Sequence, residues 1–267
     1  MTDQFDYVIV GSGPAGSILA DRLTEDGRTT VCVLEAGIPD TSMYVRIPAG
    51  FVKTLYDPKS IWSFTCEPGP GLAGRQMRLP QGRLVGGSSS LNGMVYNRGQ
   101  AEDFDDWETM GCPGWGYRDV LPYFRRSERK IGAGDDQYRG RFGAFPVTDP
   151  DWPSPLCDAF ITGATELGIP RNDDYNGAAQ EGAGYFQRNI YKGRRVSAAD
   201  AFLHQRGLPR VAAGRGGAEM ARRPAQHPRH EPVAGARVLQ IPSRAYPNRH
   251  AGAVHARQLP GGQDLRP

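Results

Sequence analysis

The sequence contains no run of eighteen apolar residues, so no segment is expected to span a membrane. Behind Met1-Thr2-Asp3-Gln4 there is no basic segment leading into an apolar stretch. A secretory signal is therefore not expected, and a cytoplasmic location is. Cysteine is scarce: Cys32, Cys66, Cys112 and Cys157 lie far apart, with no pair at metal-ligand spacing. They are expected to be buried free thiols in a reducing compartment, and no metal site is expected. Histidine does not occur before His204, and Phe and Trp do not occur after Gly207.

What the chain has in quantity is glycine and proline, 35 and 22 of 267 residues, so loops should be abundant. The net charge of +3 hides a division. Residues 208–267 hold ten Arg, no Lys and three acids, or +7, which leaves 22 basic and 26 acidic side chains, or −4, for residues 1–207. The tail has no apolar period longer than a few residues. It cannot bury enough surface to offset its ordering entropy, so it is expected to be disordered. Its arginines are scattered and lack interleaved aromatics, so no nucleic-acid partner is expected.

Secondary structure is clearest at the start. Tyr7-Val8-Ile9-Val10 reads as a buried parallel strand ending at Gly11. From Ala15 to Asp26, Ile18, Leu19 and Leu23 fall at helical spacing, and Gly27 suits the helix end. Val31-Cys32-Val33-Leu34 repeats the buried-strand pattern and ends at Glu35, which completes a βαβ unit. Thr41 to Gly99 shows little periodicity and reads as a long loop. Asp119 to Glu128 predicts a helix with Val120, Leu121, Tyr123 and Phe124 on one face. A further helix starts at Ser154-Pro155, with an inner stripe of Leu156, Phe160, Gly163, Ala164 and Leu167, and ends at Gly168. Phe142–Val147 and Gly184–Ile190 read as strands.

Gly11-Ser12-Gly13-Pro14-Ala15-Gly16 fits G-x-G-x-x-G between a strand and a helix. The first glycine permits a tight turn, the second lets backbone approach a pyrophosphate, and the third lets helix and strand pack closely. The diphosphate would lie at the helix N-terminus, where free N–H groups and the dipole favour negative charge. Glu35 is placed to accept hydrogen bonds from a ribose diol, with Ala36 beside it. This loop is expected to bind a dinucleotide, but it does not separate FAD from NAD, and an NAD-dependent dehydrogenase stays open on it alone.

Residues 82–105 discriminate. They run Gly82-Arg83-Leu84-Val85-Gly86-Gly87-Ser88-Ser89-Ser90-Leu91-Asn92-Gly93-Met94-Val95-Tyr96-Asn97-Arg98-Gly99 and on to Asp105. This stretch resembles the first sequence signature of the glucose–methanol–choline (GMC) oxidoreductases. Trp62, Thr65 and Pro68 before it, and Phe104 to Trp107 and Gly114 to Phe124 after it, also look like that family. Arg195-Val196-Ser197-Ala198-Ala199-Asp200-Ala201-Phe202-Leu203 resembles the family's return from substrate domain to flavin domain.

The resemblance implies an α/β fold: a Rossmann-like FAD-binding domain, incomplete, with the start of an antiparallel-sheet substrate domain. The implied boundaries are 1–140 for the FAD domain, 141–192 for the start of the substrate domain, 193–207 for the return, and 208–267 for the tail. It implies FAD as cofactor, contacted by Trp62, Val85, Gly86, Gly87 and Ser88, with Asn92, Gly93, Met94 and Val95 along the isoalloxazine. Consecutive Gly86-Gly87 allow backbone to press on a flat ring and to donate N–H bonds. Some members attach FAD through a histidine where this chain has Leu91, so non-covalent FAD is expected.

Family members pass hydride from an alcohol to flavin N5 while a base, typically a histidine late in a longer chain, removes the hydroxyl proton. His227, His230, His250 and His255 lie in the tail without the family's surrounding residues, so no catalytic residue is named. The family's second signature and later strands are not found. The resemblance stops near Gly207, which suggests a truncated or shifted reading frame. The expected function is FAD-dependent oxidation of a small alcohol by the complete parent, this chain being an inactive portion. The alternative is a non-catalytic flavin-binding fragment or unstable product. The oligomeric state is not legible.

Overall fold

The computed structural model describes residues 4–206 and 236–240. The expected βαβ unit is present as β1 (Tyr7–Val10), α1 (Pro14–Leu23) and β2 (Val31–Glu35), with the two strands parallel and Tyr7 opposite Val31. α1 covers one face. Ala20 from the helix and Val31 and Val33 from β2 close a core with Val85, Ala199 and Leu203, on which Ile9 and Leu23 pack. The burial expected of β1 is not observed: Val8 and Val10 are 59 % and 82 % exposed. Among the described residues β1 is the sheet's edge, and only its Ile9 meets the covered face.

The other edge of β2 pairs in parallel with a strand at Ala236–Gln240, Val31 opposite Ala236. These five residues depart from the expectation of a wholly unstructured tail. A buried strand with a free ladder edge offers its unpaired N–H and C=O groups to any extended segment in reach. The rest of the tail, 207–235 and 241–267, lies outside the described residues, as do His227, His230, His250 and His255.

The segment from 41 to 99 is not one long loop. It holds α2 (Met43–Arg46), α3 (Phe51–Thr54) and an antiparallel hairpin of β3 (Ile61–Thr65) and β4 (Arg78–Gly82), then a 3₁₀ turn at Gly87–Ser90. Elements of four or five residues are too short to display a period. Val45, Ile61, Leu84 and Leu91 form their common core.

Farther along come α4 (Ala101–Thr109), α5 (Tyr117–Ser127), β5 (Glu128–Lys130), β6 (Phe145–Val147), α6 (Pro155–Glu166), β7 (Ile190–Tyr191) and β8 (Arg194–Arg195). The two strands expected at 142–147 and 184–190 are shorter than the sequence suggests. β6 starts at Phe145 and pairs in parallel with β5, while Arg188 makes single antiparallel bridges to Val95 and Thr148, and β7 pairs antiparallel with β8.

α6 begins and ends as expected, yet its buried face differs. Ile161 and Ala164 pack against Ala183 and Tyr185, whereas Leu156, Phe160 and Leu167 are 80 %, 74 % and 84 % exposed. The 183–185 segment meets the helix off the axis of its widest apolar stripe. Cys32 is buried as expected, but Cys66, Cys112 and Cys157 are exposed. No helix among the described residues is long and apolar enough to cross a membrane.

A buried ionic network joins the segment after the glycine turn to the rest of the fold. The Glu128 carboxylate, fully buried, accepts from the guanidinium groups of Arg98 and Arg139. Arg139 also pairs with Asp174 and donates to Gln187 Oε1 at 2.6 Å. Asn176 accepts from the Arg98 backbone N–H at 2.8 Å and donates to the Tyr96 carbonyl at 3.1 Å. Removing one partner of such a set strands buried charge. Glu128→Gln is expected to destabilise the fold by about 3–5 kcal/mol, read as a lower denaturant midpoint at unchanged slope.

A second polar contact closes the chain on itself. Asp40, buried behind β2, meets the His204 ring at 2.9 Å. Burial pushes the Asp40 carboxyl up, but the His204 hydrogen bond, followed by the charges of His204 and Arg46, outweighs it and holds the carboxyl below its ordinary range. A depressed carboxylate stabilises the fold above its unfolded value of about 3.9, and that contribution is lost as pH falls through the lower folded value. His204→Ala leaves burial unopposed by the imidazole. Acid unfolding, followed by far-UV circular dichroism, is expected to begin at higher pH than in the unsubstituted chain.

Candidate functional site

The G-x-G-x-x-G turn sits where β1 ends and α1 begins. The Gly11 N–H donates to the Leu34 carbonyl at 2.7 Å, which fastens the turn to the end of β2. A Cβ at Gly16 would lie 2.0 Å from the Gly11 carbonyl oxygen, so only glycine allows helix and turn to meet. Gly13 differs: its φ is −64°, and a Cβ there would meet only Gly87 Cα at 4.0 Å. The fold does not need glycine at position 13, but an approaching ligand would. α1 starts with Gly13 as N-cap, Pro14 in the first position, no side-chain cap and no acid in its first turn. Its first N–H groups are thus uncapped by side chains, and the helix end suits an anion.

Glu35 lies buried at the C-terminal end of β2, with half-buried Ala36 beside it. Its Oε2 accepts from the Ser12 N–H at 2.8 Å and the Ser12 hydroxyl at 2.5 Å, and its Oε1 from the Gly37 N–H at 2.8 Å. These bonds fix the carboxylate in one orientation, and its remaining lone pairs can accept from a diol.

The second glycine segment folds directly over this turn. Gly86 and Gly87 have φ of +86° and +55°. The Gly86 N–H donates to the Ser12 carbonyl at 3.0 Å, and a Cβ at Gly87 would stand 2.8 Å from Gly13 Cα. The two motifs read separately in the sequence are therefore one backbone assembly.

The other expected site residues are distributed around it. Val85 turns its side chain into the core rather than outward. The Ser88 hydroxyl donates to Gln81 Oε1 at 3.1 Å and accepts from the Gly82 N–H at 3.0 Å, tying the turn to β4. Trp62, on β3 opposite Gln81, is partly exposed, with the Arg83 guanidinium 4.4 Å from its ring centre. Leu91 is buried in the cluster with Val45, Ile61 and Leu84.

Asn92 and Gly93 are exposed, Met94 is buried with φ +63°, and Val95 is exposed. Gly93, Met94 and Val95 form one wall of a cavity of about 1080 Å³, with Phe51, Trp152, Phe160, Tyr185 and Phe186 among its other lining residues. His204, the only histidine among the described residues, does not line it.

Sequence reading gave no role to Gly37, where a Cβ would strike the Arg83 carbonyl carbon at 2.1 Å, and it took Ser89, with Ser88, only as a small donor near phosphate or ribitol oxygens, whereas the Ser89 hydroxyl joins the Gly86 carbonyl to the Ala198 N–H. Glycine directly after Glu35-Ala36 was an available signal for the first. Nothing local signals the second, because its partner lies far away in sequence.

An uncapped helix N-terminus, a fixed buried carboxylate and a backbone wall leading to an aromatic-lined cavity are features that a flavin dinucleotide site requires. Comparison with known proteins agrees. The sequence model of the GMC oxidoreductases matches residues 5–209. The chain is 46 % identical over 200 residues to an oxygen-dependent choline dehydrogenase of Rhizobium etli (strain CIAT 652), and 46 % over 198 residues to one of Brucella ovis. These alignments cover 75 % and 74 % of this chain and 36 % of each relative, so the chain spans about a third of their length. Among solved structures it is similar to pyridoxine 4-oxidase from Mesorbium loti, with TM-score 0.73 and 35 % identity, covering 89 % of this chain and 42 % of that one. An FAD-dependent oxidoreductase from Chaetomium thermophilum gives TM-score 0.69 at 30 % identity, over 76 % of this chain and 36 % of that one. With a family match over most of its length and a site whose two glycine turns interlock, this chain belongs to the GMC oxidoreductase family.

Proposed function

We propose that this chain forms the dinucleotide-holding part of an FAD-dependent enzyme that oxidises the CH–OH group of a small alcohol. The observation that carries the reading is the approach of Gly87 to Gly13 over an uncapped helix N-terminus, beside the buried and fixed Glu35. The α1 N-terminus would hold the diphosphate, Glu35 the ribose diol, and Asn92 to Val95 the flavin ring. FAD bound there supplies the two-electron acceptor for alcohol oxidation. Relatives described as choline dehydrogenases and a structural neighbour described as a pyridoxine oxidase support a small alcohol as substrate. The cavity beside Gly93–Val95, lined by Trp152, Phe160, Tyr185 and Phe186, would receive it. Four cysteines without a disulfide fit a cytoplasmic location.

FAD is held without a covalent bond, because Leu91 offers no nucleophile and its side chain is committed to the core. A second reading, flavin binding without turnover, is favoured by His204: the described imidazole is held by Asp40 and does not line the cavity. Reduction of the bound flavin by an added alcohol separates the two.

Two substitutions test the site against the fold. Gly13→Ala should leave thermal stability nearly unchanged while weakening FAD uptake about a hundredfold, measured by quenching of flavin fluorescence. Gly16→Ala should instead destabilise the fold by about 1–3 kcal/mol or more, because its Cβ meets backbone. If Gly13→Ala took up FAD normally, the diphosphate seat would lie elsewhere. After acid precipitation of the loaded protein, all the flavin is expected in the supernatant; flavin in the pellet would refute non-covalent attachment.

A further inference from the structure

Arg195 is a buried cation to which the proposed function assigns no role. It lies on β8 and is only 3 % exposed. Burial pulls its guanidinium down to about 10. Its Nε donates to the Val45 carbonyl at 2.9 Å and its Nη1 to the Ser89 carbonyl at 3.4 Å, while Nη2 is buried without a hydrogen-bond partner among the described residues. A cation serving only to tie α2 to the 3₁₀ turn would be complete with those two carbonyls. Its shortest bond goes elsewhere: Nη1 to Asn92 Oδ1, at 2.6 Å.

Asn92 Oδ1 accepts a second bond, from the Met94 N–H at 3.1 Å. Both partners can only donate, so the amide is fixed with oxygen inward and nitrogen outward. That matters for Met94, which takes φ +63°, a left-handed conformation disfavoured for a side chain of its size. Its N–H is held by Asn92 and its carbonyl by the Asn189 N–H at 3.1 Å, so the 189–196 hairpin supports the conformation from both sides. The outcome is an exposed Gly93 and Val95 flanking the buried Met94 on the cavity wall, and an outward Asn92 amide nitrogen with no hydrogen-bond partner among the described residues.

We infer that Arg195 is a positioning residue of the flavin site: through Asn92 Oδ1 it holds Met94 left-handed and points Asn92 Nδ2 at an acceptor on the flavin's heterocyclic edge. The inference rests on the flavin reading above and adds the residue that sets the ring-facing wall. Arg195 touches neither cofactor nor substrate in this scheme. It acts through one amide.

The test uses the full chain titrated with FAD, with affinity taken from fluorescence quenching, the flavin's visible absorption band recorded at saturation, and the melting temperature measured for every variant. Asn92→Ala and Arg195→Gln are each expected to weaken FAD about tenfold and to shift the band in the same direction. The double variant should bind no more weakly than either single one, because both act through the same group. Met94→Gly in the Arg195→Gln background should recover affinity, since glycine takes the left-handed conformation unaided. Should Arg195→Gln fail to fold, Asn92→Asp carries the test. It keeps the oxygen for Arg195 and Met94 and removes the donor, so FAD should weaken and the band shift at unchanged melting temperature. A double variant weakened by the product of the single effects, or Asn92→Asp binding FAD with an unshifted band, overturns the inference and leaves flavin binding standing. Failure of the unsubstituted chain to take up FAD overturns both.

Discussion

The meeting of two glycine backbones, Gly13 under Gly87, sets the geometry of everything else at the site. A Cβ on Gly87 would stand 2.8 Å from Gly13 Cα, and one on Gly82 2.3 Å from the Gly87 carbonyl carbon, so hairpin, turn and phosphate loop close together only without side chains. From that contact the order spreads outward through backbone groups: Gly86 N–H to the Ser12 carbonyl, Ser12 to Glu35, Glu35 to the Gly37 N–H. Backbone is suited to the task. Its donors have no rotamers to lose and bring no charge to be desolvated, and Leu84 and Val85, fully or almost fully buried, anchor the segment on either side of the fold.

Much of this was legible in the sequence, for an identifiable reason. The βαβ unit, the phosphate turn and the acid after β2 are local: each is a run of residues whose pattern is complete within about a dozen positions. Glycine pairs can likewise be read as close approach before the partner is known. What stayed illegible depends on partners far away in sequence. Val85 reads as a cofactor contact by position, but that its side chain packs in the core is not local information, since Ala20, Val33 and Ala199 converge on it. The hairpin at 61–82 is hidden because five-residue strands separated by a Gly-rich stretch carry no measurable period. Burial of β1 was over-read from its composition, because an apolar run does not say whether one face or two will be covered.

Charge placement shows the same dependence on distance. The chain buries Glu128 and Arg139 almost completely, and nothing in their neighbours announces it. Their value lies in what they hold. The network grips Arg98 and, through Asn176, the Tyr96 carbonyl, so the chain leaves the Gly93–Val95 cavity wall at a fixed place. Burial is the main reason that the Tyr96 phenol is pushed up, with the negative Glu128 adding to it. Such clusters contribute less to net stability than an apolar core of similar volume. Their effect here is positional: the exit from Val95 and the return at Arg195 are both tied by charged groups, and the segment between them cannot slide.

α6 shows how a failed core expectation can still be informative. The helical spacing of Leu156 and Phe160 suggested an inward face, yet both are largely exposed. They are not stray surface residues, because both line the cavity that Gly93–Val95 also line. Periodicity detects an apolar stripe and does not distinguish a stripe that packs from one that borders a cavity. In this protein the helix does both. Ile161 and Ala164 seat it on the 183–185 segment, and the adjacent stripe turns toward the site. The cavity is thus built from two kinds of wall, a polar backbone strip set by Arg195 and Asn92 and an apolar strip set by helix packing. A substrate carbon held by the second would be presented to whatever the first holds in place.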